Sequence, residues 1–112
     1  MDLSESELER YDRQLRIRGW DINGQKRLKA SKVAVVGLGG LGSASSIYLA
    51  AAGVGSLTLI DHDKVSLPDL NRQILYSEEN IGLSKAEAAK MRIESLNSKV
   101  KVNPVESRVT EK

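Results

Sequence analysis

The 112-residue sequence contains no cysteine, no phenylalanine, one tryptophan and one histidine. Without cysteine the chain has no disulfide, no thiolate metal ligand and no cysteine nucleophile. The single histidine, His62, has no partner of metal-binding type, so no zinc site or other protein-built metal site is expected and His62 reads as an exposed side chain. Scarce aromatics imply an aliphatic, alanine-rich core, with Trp20 packing N-terminal helices rather than stacking on a base. Charge of one sign is lacking too: 17 Lys and Arg face 15 Asp and Glu, a formal net charge of +2 with no basic run, which argues against nucleic acid as a partner. The longest apolar stretch, around Ile47 to Val54, is far short of the ~20 residues that a membrane helix needs. The polar, charged stretch through Lys32 does not read as a signal peptide, and the expectation is a soluble cytoplasmic protein.

What is present is ordinary for one globular domain: 40% hydrophobic and 29% charged residues. Residues Ser4 to Arg18 read as a helix, with Ser4 as N-cap, Glu7 completing a capping box, and Gly19 as its end. A short helix from Asn23 to Ala30, with Leu28 facing inward, completes an N-terminal helical arm over residues 1–31. From Lys32 the pattern changes. The valine-rich run Lys32 to Gly37 predicts a strand buried on both faces, as in a parallel sheet. A helix of small residues, Ser43 to Ala52, ends at Gly53. Ser56 to Asp61 reads as a second strand, Ser84 to Leu96 as a helix, and Lys99 to Val105 as a third strand. Residues 32–112 are therefore a βαβαβ unit, an α/β fold that is half of a Rossmann-like doubly wound parallel sheet. A sheet of three parallel strands leaves an open edge, expected beside the first strand, that a continuation, a partner chain or another copy should cover. The polar end, residues 110–112, suits a surface terminus.

The glycine-rich turn Gly37-Leu38-Gly39-Gly40-Leu41-Gly42 sits where such a turn has meaning, directly after a strand and opening a helix. Gly37 permits the tight turn, Gly39 lets the backbone approach a phosphate, and Gly42 lets helix and strand pack closely. Free amides at the helix start, with its dipole, favour an anion. Asp61 ends the second strand, where a carboxylate can accept hydrogen bonds from ribose hydroxyls. These residues alone leave NAD, FAD and ATP open.

Further segments occur in order: Arg10-Tyr11-Asp12-Arg13-Gln14, the glycine loop, Leu57-Thr58-Leu59-Ile60-Asp61, Leu70-Asn71-Arg72-Gln73, and Gly82-Leu83-Ser84-Lys85-Ala86. Together they resemble the MoeB/ThiF/HesA family, which includes the adenylation domains of ubiquitin-activating enzymes, and the resemblance runs along essentially the whole chain. It implies ATP, with Mg²⁺, as the ligand and a ubiquitin-like sulfur-carrier protein, activated at its C-terminal glycine, as the partner. It implies that Gly37, Gly39, Gly40 and Gly42 hold the phosphates and Asp61 the ribose, with Asp63, Asn71 and Gln73 close by. Arg72 and Lys85 would contact phosphates, and Arg13 would reach the nucleotide of a neighbouring subunit in a homodimer or higher oligomer. The chemistry suits these residue types. Attack of a carboxylate on the α-phosphate gathers negative charge, which an Arg fork and a compact Lys ammonium neutralise.

The bland alternatives are a solvated Lys85 in a first helical turn, a surface Arg13, Arg72 and Gln73 as loop anchors, and Asp63 as a loop cap. The sequence departs from the family in three ways. Asp69 stands where the family carries Asn, which removes amide donors and adds negative charge beside a polyphosphate. The family's magnesium-binding Asp follows a fourth strand that this sequence does not reach, and its zinc-binding and catalytic Cys regions are also missing. The chain is thus expected to be an amino-terminal part of an adenylyltransferase, weakly active or inactive alone. The rival readings are an NAD-binding oxidoreductase fragment and a non-catalytic oligomeric nucleotide-binding scaffold.

Overall fold

The computed structural model describes residues 2–108, so residues 110–112 lie outside the described residues. Helices α1 (Glu5–Arg10), α2 (Asp12–Leu15) and α3 (Asp21–Ala30) form the arm. Strand β1 (Lys32–Val36), helix α4 (Gly40–Ala52), strand β2 (Ser56–Asp61), helix α5 (Lys85–Leu96) and strand β3 (Lys101–Glu106) follow, with 3₁₀ turns at Leu67–Asn71 and Glu78–Asn80 between β2 and α5. The strands are parallel in the order β1-β2-β3, with Val33 beside Leu57 and Leu57 beside Val102. The expected α/β half of a doubly wound sheet is present.

Two right-handed crossovers stepping in one direction put α4 and α5 on the same face of the sheet, where the two helices touch each other. Leu57, Leu59 and Val102 point into that face and join Leu38, Val54, Leu75, Ala86, Ala89 and Ile93 in the core. Small residues make this close layer possible. A Cβ on Gly42 would fall on the Gly37 carbonyl oxygen, so only glycine lets α4 approach β1.

Here the sequence reading of β1 needs correction. The strand is not buried on both faces: Lys32, Ala34 and Val36 are exposed, Val36 at 60%. The valine run does fit a strand of a parallel sheet, but β1 lies at an edge and the face opposite α4 and α5 carries no helix among the described residues. Among the described residues no strand pairs with the outer edge of β1, the open edge expected there.

The arm also differs from a single helix over Ser4 to Arg18. Ser4 caps α1 through the expected box with Glu7. The helix then breaks at Tyr11 (φ −99°, ψ 11°), because the Tyr11 ring is buried and its hydroxyl accepts from Asn97 Nδ2 at 2.8 Å. Gly19, at φ +85°, turns the chain towards α3, two residues before that helix starts at Asp21. α4 likewise starts at Gly40 rather than Ser43, and β3 at Lys101 rather than Lys99.

Amide side chains fasten the arm to the sheet layer. A helix end leaves carbonyls without intrahelical partners. At the end of α4, Ala52 O accepts from Gln14 Nε2 and Gln25 Nε2, each at 2.9 Å, and Ala50 O accepts from Asn97 Nδ2 at 2.8 Å. Trp20 packs over Gly24 and donates to Gln25 Oε1, which is the structural role expected for it. No helix among the described residues is long and apolar enough to cross a membrane.

Candidate functional site

Parallel strands deliver their carboxyl ends to one rim of a sheet, and there ligands gather. At that rim Val36, Gly37, Gly39, Ile60, Asp61, His62, Asp63, Lys85, Ser107 and Arg108 line a cleft of about 370 Å³. A larger hollow, about 500 Å³, opens in the arm beside Trp20, Gly24 and Arg27, and none of the candidate residues lines it.

The glycine loop forms one wall. Gly37, at φ +86°, turns away from β1, where a side chain would strain the backbone. Its N–H donates to Ile60 O at 2.8 Å. Gly39 is the N-cap of α4, so the loop leads straight to amides that have no acceptor within the helix. Gly40 lies against Arg72: a Cβ there would sit 4.0 Å from the Arg72 side chain.

Asp61 is buried at the end of β2, and both of its oxygens accept backbone N–H groups. Oδ2 takes Leu38 N at 2.6 Å, and Oδ1 takes Asp63 N at 2.7 Å. The carboxylate therefore anchors the glycine loop. Each oxygen keeps a second lone pair that can face the cleft. Asp63 is exposed; its carbonyl accepts Lys85 N and so helps to start α5. His62 Nε2 lies 3.3 Å from Asp63 Oδ1, and with Asp61 these side chains bring three ligand-type atoms within 4.8 Å. This differs from the expectation that His62 has no partner of metal-binding type, since its two chain neighbours are carboxylates of that type. The trio is nonetheless spoken for in part, because Asp61 is committed to two backbone amides.

Lys85 is not a solvated lysine. Its side chain is 8% exposed, and Nζ lies 3.6 Å from Asp69 Oδ2. Asp69 also accepts from Ser66 N and Ser66 Oγ, at 3.0 and 3.1 Å, closing a capping box on the Leu67–Asn71 turn. The Ser66 amide and hydroxyl, with the Lys85 charge, hold the Asp69 carboxyl below its usual range against some opposing desolvation. The residue that departs from the family pattern is thus the partner of the candidate phosphate-binding lysine.

Arg72 and Asn71 are exposed beside this turn, with Arg72 Nη1 donating to Asn71 Oδ1 at 3.0 Å. Gln73 is buried at 2% exposure, and its Nε2 lies 3.9 Å from where a Gly39 Cβ would stand. Its Oε1 is buried without a hydrogen-bond partner among the described residues. Such acceptors are uncommon in folded proteins. Asn71, Arg72 and Gln73 do not line the cleft, and Arg13 lies apart from both the cleft and this turn. It lies on α2, 85% exposed, paired with Asp12 at 2.6 Å, in a groove with Glu9 and Arg10.

Sequence reading missed Tyr76. Its ring is buried and its hydroxyl donates to Leu38 O at 2.7 Å. Burial, and then the charges of Asp61 and Asp69, push the phenol far above its ordinary value, so it remains a donor. Nothing local marks it, because its partner is a backbone carbonyl in the glycine loop. Ser107 and Arg108 on the cleft rim were also missed.

The chain is similar to known proteins along most of its length. The ThiF family model, described as "ThiF family", matches residues 11–112. The chain is 46% identical over 99% of its length to a molybdopterin-synthase adenylyltransferase of Haemophilus influenzae, covering 46% of that protein. To the Escherichia coli protein of the same name it is 50% identical over 93% of its length, covering 42% of that protein. Among solved structures, E. coli tRNA N6-threonylcarbamoyladenosine dehydratase in complex with ATP superposes with a TM-score of 0.91 at 34% identity, over 98% of this chain and 44% of that one. The chain spans less than half the length of the curated relatives it matches. With the family model covering all but its first ten residues, the chain belongs to the ThiF family.

Proposed function

We propose that this chain binds ATP in the cleft at the carboxyl end of the sheet and is the nucleotide-binding part of an adenylyltransferase that activates the C-terminal glycine of a ubiquitin-like sulfur-carrier protein. The observation that carries the reading is the convergence of the glycine loop, Asp61 and the buried Lys85 on one cleft. The ATP complex of a superposable relative supports the same ligand, and the adenylyltransferase names of the two curated relatives support the reaction class.

The roles follow from the chemistry. Free amides at the head of α4 hold phosphate oxygens, and the helix dipole adds to them. Lys85 supplies a compact positive charge, and Arg72, against Gly40, supplies a bidentate fork. Asp61 anchors the loop and accepts from the ribose, while Gln73 Oε1 offers an acceptor to a hydroxyl or amino group of the nucleotide. In the reaction a carboxylate oxygen of the carrier forms a bond to the α-phosphorus. The bond from that phosphorus to the bridging oxygen breaks, and pyrophosphate leaves with its electron pair. The chain's part is to neutralise the charge gathered at that step. Mg²⁺ would ride chiefly on the phosphates, as it commonly does; the exposed Asp63 is the carboxylate near the cleft with most room for it. Arg13 on its separate face is assigned to a neighbouring subunit's nucleotide.

The test is calorimetric titration with ATP and Mg²⁺ and, separately, with NAD. ATP is expected to bind more tightly, and preference for NAD would sink the reading in favour of an oxidoreductase. Capture of small proteins ending in Gly-Gly tests the partner, and their exclusion from the complex in the presence of ATP would remove the carrier from the proposal.

A further inference from the structure

Leu38 is a fully buried residue in the middle of a loop whose neighbours face the cleft. Both of its backbone polar groups are held from within the protein: its N–H by Asp61 Oδ2 at 2.6 Å and its carbonyl by the Tyr76 hydroxyl at 2.7 Å. With the Gly37 N–H on Ile60 O, three hydrogen bonds fix two consecutive loop residues. A trans peptide then leaves no choice about the next amide. The carbonyl of Leu38 and the N–H of Gly39 belong to one planar unit and point in opposite directions. A carbonyl turned inward to Tyr76 therefore turns the Gly39 N–H outward, and no protein acceptor takes that N–H among the described residues.

We propose that Tyr76 is a positioning residue for the anion-binding loop, fixing the Leu38–Gly39 peptide so that the Gly39 amide is presented to a nucleotide phosphate. This rests on the reading that the cleft takes nucleotide phosphates. It adds a residue, 37 positions from Gly39 in the sequence, whose side chain sets the direction of a backbone donor. The arrangement is preorganised: the amide is aimed before the ligand arrives, so binding need not spend energy on turning it. The phenol suits the task because it is buried, neutral and rigid. Its ring packs in the core, which keeps the hydroxyl in place.

Tyr76→Phe removes the hydroxyl and keeps the ring. Affinities for ATP, ADP and adenosine are measured on the wild-type chain and the variant, at a temperature where circular dichroism shows both folded. The expected result is a loss of about 5-fold for ATP and ADP, the scale of one neutral hydrogen bond, with adenosine unchanged. Unchanged ATP affinity overturns the proposal, and so does an equal loss for adenosine, which marks a merely structural tyrosine. A second measurement needs no nucleotide. The amide resonances of Leu38 and Gly39 should move in the ligand-free variant while that of Val102 in β3 stays. Stationary loop amides overturn the proposal. If the wild-type chain binds none of the three ligands, the nucleotide reading fails, and the amide resonances still decide whether Tyr76 aims the loop.

Discussion

The two sides of the sheet are built to different standards. Towards α4 and α5, Leu57, Leu59 and Val102 are buried, and the carbonyls at the end of α4 are taken by Gln14, Gln25 and Asn97. Towards the open side and the glycine loop, Val36 is 60% exposed and, among the described residues, Gln73 Oε1 has no partner and the Gly39 N–H no acceptor. The difference teaches where each kind of free energy resides. The covered side holds the chain together. The uncovered rim keeps groups ready for something else.

If that division is right, substitutions on the covered side should act on stability first. The largest effect is expected for Gly42→Ala, because its Cβ would collide with the Gly37 backbone, which no rotamer change relieves. A loss on the order of 4 kcal/mol in urea unfolding is expected, at the severe end of single substitutions. Wild-type stability in this variant would show that α4 does not rest on β1 as closely as described. Next comes a paired test on β2. Leu59 and Ile60 are adjacent but face opposite sides, the first fully buried and the second only partly buried. Leu59→Ala should cost about 3 kcal/mol and Ile60→Ala about 1 kcal/mol. Equal costs would mean that the open face is covered in solution.

The same asymmetry explains what could be read from the sequence. β2 is bounded correctly because its alternation and terminal Asp61 are local signals. The valine run of β1 marks a parallel-sheet strand, but no residue in it says whether a second layer is present. The break at Tyr11 is hidden because helical spacing continues through it; it depends on Asn97, 86 residues away. Among candidate site residues, the glycine loop and Asp61 were legible from motif and position, and Gln73 and Lys85 only through the family resemblance. Tyr76 was not, because side-chain pairing with a backbone carbonyl leaves no pattern in composition or spacing. Asp69 was noticed as a misplaced negative charge, and only the fold shows that it faces Lys85.

Asp69 also gives the test on the rim side, where affinity rather than stability should respond. Asp69→Asn keeps an oxygen for Ser66 but removes the charge opposite Lys85. The Lys85 ammonium is then released towards phosphate, and one repulsive carboxylate is gone. ATP affinity without Mg²⁺ should rise about 5-fold, in line with one charge interaction partly screened by water. With Mg²⁺ the gain should be smaller, since the cation already offsets the carboxylate. A loss of affinity would mean that Asp69 orients Lys85 rather than competing with phosphate for it.

The smallest effect belongs to the Glu7–Lys29 pair of the arm, which takes no part in the cleft. Burial pushes the Glu7 carboxyl up, but the Lys29 ammonium at 2.7 Å and the Ser4 amide and hydroxyl outweigh it and hold the group below its usual 4.5. A carboxyl depressed in the folded state contributes stability that is fully present above its unfolded value. That contribution is lost as pH falls through the lower, folded value. Glu7→Gln retains an acceptor for the Ser4 amide and removes the charge, so the wild-type chain should exceed it by about 1 kcal/mol at pH 7, the net scale of one hydrogen bond. At acid pH, well below 4.5, the difference should shrink, because the wild-type carboxyl takes up its own proton as pH falls through its lowered folded value. A difference that stays constant between those two pH values would assign the arm's attachment to packing at Tyr11 and Trp20 and leave the Glu7–Lys29 pair without a share in it.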